Sequence, residues 1–171
     1  LVAGCWLLTT MPKTRYITTP LYYVNAAPHI GHSYTTVAAD CLARYYRLKG
    51  ESVFLLTGTD EHGQKIAQAA AAAGLTPQVF ADRAVEQFQT LWQALHIAYD
   101  DFIRTTQPRH VNAVQAVLTK LHDAGKLTRA TYQGWYCTPC ETFWTEEELR
   151  GVHRESTITC GRALGGVIPA N

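Results

Sequence analysis

Two short motifs, each at a junction between a strand-like and a helix-like segment, constrain this chain more than any other feature. The first is Pro-His-Ile-Gly-His at residues 28–32, and the second is Gly-Thr-Asp-Glu-His-Gly at residues 58–63. Open parallel sheets bind ligands at the carboxyl ends of adjacent strands, where helices begin. The two motifs therefore predict a cleft in which a nucleotide and a small cationic group lie side by side.

The first motif has the composition of an anion-binding helix start. His29 and His32 are three residues apart, so both side chains can face one ligand. Backbone N–H groups at a helix N-terminus favour phosphate, and an imidazole there can hydrogen-bond an oxyanion that develops at phosphorus. Gly31 has no Cβ, which lets the backbone come close to a flat ligand. The alternative is that one histidine caps or packs while the other faces solvent.

The second motif places a carboxylate at the end of an apolar strand. The Asp60 carboxylate suits an ammonium group in the cleft. The alternative is that Asp60 is the N-cap of a helix that begins near His62. Both interpretations can hold, because an N-cap lies at the mouth of such a cleft. Gly58 and Gly63 would allow a tight turn from strand to helix.

Composition argues against several classes of protein. The chain has 15 Lys+Arg and 14 Asp+Glu among 171 residues, so no overall basic charge indicates binding to nucleic acid. DNA is not expected as a partner, and any contact with RNA must be local or lie outside this chain. The apolar run within residues 1–10 is too short to span a membrane and lacks the pattern of a signal peptide. We interpret residues 1–12 as an unstructured upstream extension, with Met11 as the natural start. Five unevenly spaced cysteines argue against a disulfide framework and favour the cytoplasm.

Hydrophobic periodicity predicts an α/β layer. The apolar run Val-Phe-Leu-Leu favours a strand buried on both faces of a parallel sheet, and Thr76 followed by Pro77 is typical of a helix N-terminus. The helix that begins there carries one broad apolar face, formed by Val79, Phe80, Ala84, Phe88, Leu91, Trp92 and Leu95. The predicted strands are residues 15–19, 52–57 and 101–105, the other predicted helices are residues 29–49, 62–73 and 108–124, and residues 21–28 are predicted to be a loop.

A second, smaller module is predicted after a boundary near Lys126. Residues 127–135 alternate as a hairpin strand would, the chain is rich in turn residues from Cys137 onward, and residues 162–171 show no pattern of helix or strand. The last segment suggests that the chain is cut off. Cys137 and Cys140 have the spacing of half a metal site, and the alternative is two unligated thiols in a turn.

Four segments within residues 13–149 resemble methionyl-tRNA synthetases, a family of class I aminoacyl-tRNA synthetases. They are Thr-Thr-Pro-Leu-Tyr-Tyr-Val-Asn with the later His-Ile-Gly-His signature, Leu-Thr-Gly-Thr-Asp-Glu-His-Gly-Gln-Lys-Ile, Tyr-Asp-Asp-Phe-Ile-Arg-Thr-Thr, and Gly-Trp-Tyr-Cys-x-x-Cys-Glu. The signature alone indicates class I, and the four segments together favour the methionine enzymes over the leucine, valine and isoleucine enzymes. The resemblance implies an incomplete, doubly wound, Rossmann-like nucleotide-binding fold with a parallel sheet and a small zinc-knuckle insertion. Residues 13–125 would be the first half of that catalytic domain, and residues 126–171 the start of the insertion.

The resemblance also implies an activity. The carboxylate of methionine would attack the α-phosphorus of ATP, bound with Mg²⁺, and the methionyl group would then pass to the 3′-terminal adenosine of tRNA(Met). His29 and His32 would contact the ATP phosphates, with Gly31 against the adenine. Catalysis would rest on positioning and charge stabilisation, without covalent attack by the protein.

Three residues would bind methionine if the resemblance holds. Asp60 would hold the α-ammonium group. Leu21 and Tyr23 would line the side-chain pocket, where an apolar wall and an aromatic face suit a thioether.

The chain departs from the family pattern in two places. The Lys-Met-Ser-Lys-Ser loop that binds the triphosphate is absent from the 171 residues, so we expect this chain alone to be inactive. In the second cysteine pair, Thr157 stands where a ligand is expected, and only Cys160 matches. The zinc ligands that the resemblance implies are Cys137, Cys140 and Cys160, with His153 as a candidate fourth ligand.

Two other hypotheses stay open at this point. The chain could belong to another class I synthetase or a small nucleotidyltransferase with the same signature, or it could be a non-catalytic fragment that binds tRNA or zinc. Amino-acid-dependent ATP–pyrophosphate exchange tests the first hypothesis, and tRNA binding by the purified chain tests the second.

Overall fold

A computed structural model of the chain describes residues 13–132, 134–137 and 141–144, together with the backbone of residues 167–169. These residues form two sheets. The first sheet and its helices comprise β1 (Thr14–Thr18), β2 (Tyr22–Tyr23), α1 (Ile30–Leu48), β3 (Ser52–Asp60), α2 (Gln64–Ala72), α3 (Pro77–Ala94), β4 (Asp101–Arg104) and α4 (Pro108–Asp123). The second sheet comprises β5 (Trp135–Cys137), β6 (Thr142–Trp144) and β7 (Val167–Pro169).

The first sheet is parallel throughout, which confirms the α/β class predicted from the sequence. β3 is its central strand. β1 pairs with residues 52–56 of β3, β2 continues the same edge opposite residues 59–60, and β4 pairs with residues 56–59 on the other edge. The segments that follow β2 and β3 therefore leave the sheet at the same end, which is where ligands bind in open parallel sheets.

β2 lies within the segment that we predicted to be a loop. It has only two residues, Tyr22 and Tyr23, which pair with Thr59 and Asp60 of β3. A strand of two residues has no visible period, so its existence depends on the neighbouring β3. The strand fixes the segment before the His-Ile-Gly-His signature directly onto the end of the central strand.

The apolar core lies mainly under α3. Its buried members are Tyr22 and Val24 near β2, Ile66 of α2, Phe102 of β4, and Ala81, Ala84, Val85, Phe88 and Trp92 of α3. Complete burial of a side chain such as Phe88 stabilises the fold by about 1.5–3 kcal/mol. The predicted apolar face was wrong at its margins, because Val79 and Leu95 are 41% and 39% exposed. Three residues of the predicted face, Ala84, Phe88 and Trp92, are buried in the core, and Ala81 and Val85 are buried beside them.

β3 is not buried on both faces along its whole length, which corrects the prediction. Its second half is buried, but Phe54 is 41% exposed and stacks on Tyr16 of β1 with ring centroids 5.7 Å apart. This end of the sheet face stays accessible in the described part of the chain. The apolar run identified the strand correctly but overstated its burial.

Helix boundaries follow local capping where a cap is present. Thr76 caps α3 as predicted, because its Oγ1 accepts a hydrogen bond from the Val79 N–H at 3.3 Å, and Pro77 occupies the first turn. α2 begins at Gln64, two residues after the predicted start at His62, since Gly63 is its N-cap with a φ of 115°. That conformation favours glycine.

The second module differs from its prediction. β5 and β6 pair antiparallel, with Cys137 opposite Thr142. The predicted hairpin strand at residues 127–135 was wrong except for Trp135, because residues 126–132 form no strand. The prediction that residues 162–171 contain no strand was also wrong, since β7 pairs antiparallel with β5. Three-residue strands are too short to show a period-two pattern, so pairing decides their position.

The close approach of β3 and β4 explains Gly58, which lies inside β3 and not in the predicted turn. A Cβ at this position would lie 1.9 Å from the Ile103 carbonyl oxygen. We expect Gly58→Ala to lower the free energy of unfolding by about 1–3 kcal/mol, because the two strands must separate to accommodate the methyl group. Urea unfolding of the purified chain measures this loss. Ser52→Ala at the exposed start of β3 is the control, and an equally small effect of both changes would contradict the contact.

Candidate active site

The start of α1 is built by its two histidines. His29 is the N-cap, and its Nδ1 accepts a hydrogen bond from the Gly31 N–H at 3.0 Å. His32 reciprocates, because its Nδ1 accepts from the His29 N–H at 3.1 Å. This is a capping box made of imidazoles, in which two backbone donors of the first turn are satisfied. The two rings stack with their centroids 3.8 Å apart.

The capping box also fixes the tautomer of both rings. A ring nitrogen that accepts a hydrogen bond carries no proton, so a neutral imidazole in this arrangement has its proton on Nε2. Each histidine therefore presents an Nε2–H donor from the N-terminus of a helix. Donors at this position suit an anion, because they add to the unpaired N–H groups and the dipole of the helix.

Gly31 provides room for this arrangement. A Cβ on Gly31 would lie 2.8 Å from Cε1 and 3.0 Å from Nδ1 of His29. Any other residue would push the His29 ring away from the Gly31 N–H. The structure thus gives the glycine a role in the helix start, and its predicted contact with adenine stays a prediction.

Tyr22 connects the two motifs, and sequence reasoning did not identify it. Its ring meets the His32 ring edge to face, with centroids 4.8 Å apart, and its hydroxyl lies 2.8 Å from Thr36 Oγ1. Tyr22 also pairs with Thr59 at the end of β3. The side chain of Tyr22 therefore contacts the helix that carries the first motif. The backbone of Tyr22 pairs with the strand that carries the second motif.

Asp60 is the last residue of β3, as the sequence predicted. Its Oδ1 lies 3.5 Å from both the His62 N–H nitrogen and Thr105 Oγ1. The alternative role as the N-cap of α2 is wrong, because Gly63 holds that position. Both Asp60 contacts are long, so they orient the carboxylate and leave it able to accept a stronger donor.

A buried ion-pair network is centred on Glu61, the residue that follows Asp60. The sequence analysis did not predict it. The Glu61 side chain is fully buried and receives two hydrogen bonds from Arg104, at 2.6 and 2.8 Å. Thr59 and Thr106 each donate to it at 2.6 Å. Burial by itself would raise the pKa of Glu61, but these hydrogen bonds and the Arg104 charge outweigh burial and hold the pKa below its ordinary value. The network fixes the end of β3 to the end of β4.

The predicted pocket residues Leu21 and Tyr23 remain accessible, at 39% and 41% exposure. Tyr23 is the register partner of Asp60 across β2 and β3. Partial burial raises the pKa of the Tyr23 hydroxyl, and the nearby carboxylates of Glu141 and Asp60 raise it further. The structure thus brings Tyr23 and Asp60 together, and it links His29 and His32 to them through Tyr22. Whether all of them line one cleft stays a prediction.

Comparison with known proteins now decides the family. A model of the family described as tRNA synthetases class I (M) matches residues 15–161. The chain belongs to this family.

Similar synthetases cover most of this chain, whereas the chain covers a minor part of them. A methionine–tRNA ligase of Clostridium tetani is 54% identical over 152 residues, which are 89% of this chain and 23% of that protein. The corresponding ligase of Thermotoga maritima is 55% identical over 134 residues, 78% of this chain and 21% of that protein. The chain therefore spans about a quarter of the length of these class I synthetases.

A solved synthetase structure shares the fold. Methionyl-tRNA synthetase of Mycobacterium tuberculosis, in complex with methionyl-adenylate, superposes with a TM-score of 0.76 at 46% sequence identity. The match covers 80% of this chain and 27% of the other. The parallel sheet described above is thus the sheet of a class I synthetase catalytic domain.

The metal prediction falls largely outside the described residues, since Cys140, Cys160 and His153 are not among them. Cys137 is described, at 7% exposure and at the end of β5. Within the described ranges, no group of three or more His, Cys, Asp or Glu side chains is placed to hold a metal ion. In the same ranges, no helix has the length and apolar content needed to cross a membrane.

The capping box predicts that the stability of the chain depends on pH. Burial, and then the neighbouring His29, lower the pKa of His32. The neutral ring is thus favoured by folding, so its contribution is present above the unfolded pKa of about 6.5 and is lost as the pH falls through the lower folded pKa. When the pH is lowered from 7 to 5.5, we expect the free energy of unfolding to fall less in His32→Gln than in the unmodified chain. Urea unfolding at the two pH values measures both changes. Glutamine can keep the reciprocal cap without titrating, and equal losses would contradict the expectation.

Proposed function

We propose that this chain forms part of the catalytic domain of a methionine–tRNA ligase. The supporting comparisons are the family match and the 46–55% identity to proteins with that activity or name. In this reaction the methionine carboxylate attacks the α-phosphorus of ATP and displaces pyrophosphate, and the methionyl group then passes from the adenylate to tRNA(Met) with release of AMP. We also propose the cytoplasm as its location, in keeping with the cysteine pattern.

The observation that carries the proposal is the pair of Nε2–H donors at the start of α1. In the capping box the Nδ1 atoms of His29 and His32 accept hydrogen bonds, which leaves each Nε2 free to donate. In the proposed reaction they hydrogen-bond the phosphates of ATP–Mg²⁺ and stabilise negative charge that grows on the α-phosphoryl oxygens. Gly31 lies between them, where the backbone can approach the nucleotide.

The amino-acid subsite is proposed at the end of β3. Asp60 binds the methionine ammonium, and Leu21 and Tyr23 contact the side chain. The support is that Tyr23 and Asp60 are register partners and that Leu21 is adjacent to the same two-residue strand. An ammonium bound there would replace the two long contacts of Asp60 with a short, charge-assisted hydrogen bond.

The smaller module is proposed to be a zinc knuckle. Cys137 ends β5, and Thr142 begins β6 directly opposite it, so the Cys-x-x-Cys segment connects two paired strands. The donors Cys137, Cys140 and Cys160, with His153 as the fourth candidate, are the thiolate and imidazole types that Zn²⁺ prefers. We assign residues 13–125 to the nucleotide-binding domain and residues 126–171 to this insertion, with residues 1–12 preceding the fold.

The test uses a full-length ligase that contains this sequence. In this protein, called the graft, residues 13–144 replace the corresponding segment of the Thermotoga maritima ligase, which is 55% identical. We expect the graft to catalyse ATP–pyrophosphate exchange with methionine and with no other standard amino acid. Exchange supported by leucine, valine or isoleucine in place of methionine would indicate another class I synthetase. A graft that melts like its parent but shows no exchange would refute the proposed function.

A further inference from the structure

The second sheet reaches the proposed amino-acid subsite through one side chain, Glu141. Glu141 lies immediately before β6 and has a φ of 52°. This is the left-handed region, in which residues other than glycine are uncommon and are held by their surroundings. Such a conformation costs free energy, and contacts made by the side chain can offset this cost.

Those contacts lie on the α/β layer. Glu141 Oε2 is 3.3 Å from Lys65 Nζ, in the first turn of α2, and both side chains are largely buried, at 24% and 32% exposure. A Cβ on Gly63 would lie 3.7 Å from Glu141 Oε1. One carboxylate therefore faces the N-cap of α2 with one oxygen and forms an ion pair in its first turn with the other.

The Glu141 carboxylate also lies within reach of the Tyr23 hydroxyl, which can donate a hydrogen bond to it, and Tyr23 is the register partner of Asp60. The negative charges of Glu141 and Asp60 both oppose ionisation of the Tyr23 hydroxyl. Tyr23 lies in a strand of only two residues, so pairing with β3 gives little restraint to its side chain. A carboxylate from a separate module is well placed to supply that restraint.

We infer that Glu141 is a positioning residue for the amino-acid subsite: it joins the small module to Tyr23 and to the start of α2, and so sets the affinity for methionine. The inference rests on the proposed function, because it assigns Tyr23 to the methionine subsite. Glu141 itself need not touch methionine or ATP. Its effect should therefore appear in methionine binding and not in the chemical step.

The test compares variants of the graft in methionine-dependent exchange. We expect Glu141→Gln to raise the KM for methionine about tenfold, with kcat and the KM for ATP nearly unchanged. Glu141→Asp should behave like Glu141→Gln, because the shorter side chain places its charge out of reach. In a Tyr23→Phe background, Glu141→Gln should add little, since the two residues act in series. Glu86→Gln, at an exposed carboxylate of α3, is the matched control.

Each outcome separates the inference from the function on which it depends. Normal exchange by the unmodified graft with an unchanged methionine KM in Glu141→Gln would overturn the inference alone. Equal increases in the KM values for methionine and ATP would also overturn it, because they indicate a general structural role. A folded graft without methionine-dependent exchange overturns the proposed function and the inference together.

The contact itself can be tested in the 171-residue chain without catalysis. In a sample with ¹³C-labelled tyrosine, the Tyr23 signal is assigned by its loss in Tyr23→Phe. We expect Glu141→Gln to lower the pKa of Tyr23, because it removes one of the carboxylates that raise this pKa. An unchanged titration of Tyr23 would overturn the inference.

Discussion

Asp60→Asn is expected to lower kcat/KM for methionine in the graft by about a hundredfold or more, with a change in the KM for ATP of about twofold at most. Asparagine keeps the shape and can keep the contact with Thr105, but it removes the charge that the methionine ammonium needs. Removing one partner of a desolvated ion pair commonly costs about 3–5 kcal/mol. Methionine-dependent exchange, measured at varied methionine and varied ATP, gives the two effects separately.

His32→Ala provides the contrasting variant. It should reduce kcat for adenylate formation while leaving the KM for methionine nearly unchanged, because its hydrogen bond to the phosphate strengthens in the transition state. Asp123→Asn, an exposed carboxylate at the end of α4, is the control for removal of one charge. If Asp60→Asn and His32→Ala raised the KM for methionine equally, the assignment of the two subsites would be wrong.

Arg104→Met is expected to lower the free energy of unfolding of the 171-residue chain by about 3–5 kcal/mol at pH 7. The change leaves Glu61 charged and fully buried, with only the Thr59 and Thr106 hydroxyls as partners. Urea unfolding measures the loss. The proposed subsite should be weakened as well, because Arg104 holds β4 beside the strand that ends at Asp60.

The pH dependence of this loss tests whether the charge of Arg104 is its cause. Without Arg104, the pKa of buried Glu61 should rise, so Glu61 takes up a proton in the folded state as the pH falls. The difference in stability between the variant and the unmodified chain should therefore shrink on acidification from pH 7 to pH 5. In the double variant Arg104→Met with Glu61→Gln, the loss at pH 7 should be smaller than in Arg104→Met alone. A loss that does not depend on pH would show that packing of Arg104, and not its charge, supports the fold.

Local sequence patterns predicted the parts of the fold that local physics decides. The bounds of β1 and of α1 were right to within one residue, and the cap of α3 was correct, because apolar period and capping residues act over a few positions. β2 and β7 were missed, since strands of two and three residues exist only through pairing with distant strands. Boundaries therefore failed wherever a tertiary contact, and not a local preference, fixed the backbone.

The candidate site shows the same division. The positions of His29, His32 and Asp60 at the ends of elements followed from the motifs alone. The Glu61–Arg104 ion pair joins residues 43 positions apart, and no spacing rule connects an acid in one motif with a base in another. The sequence around Tyr22 predicts a loop, so the edge contact of Tyr22 with His32 had no signal in the sequence. The motifs therefore identified the candidate reactive groups. The contacts that hold those groups in place became visible only in the structure.

The imidazole capping box makes one pair of side chains responsible for two properties. The rings that cap α1 are also the rings proposed to bind ATP. Removing either ring therefore affects both the helix start and ATP binding. An alanine variant at either position would fray the helix as well as remove the donor, so the fall in kcat expected for His32→Ala is an upper limit on the chemical contribution of His32. His29→Asn separates the two roles, because asparagine is a good N-cap but is too short to reach the position of the imidazole Nε2.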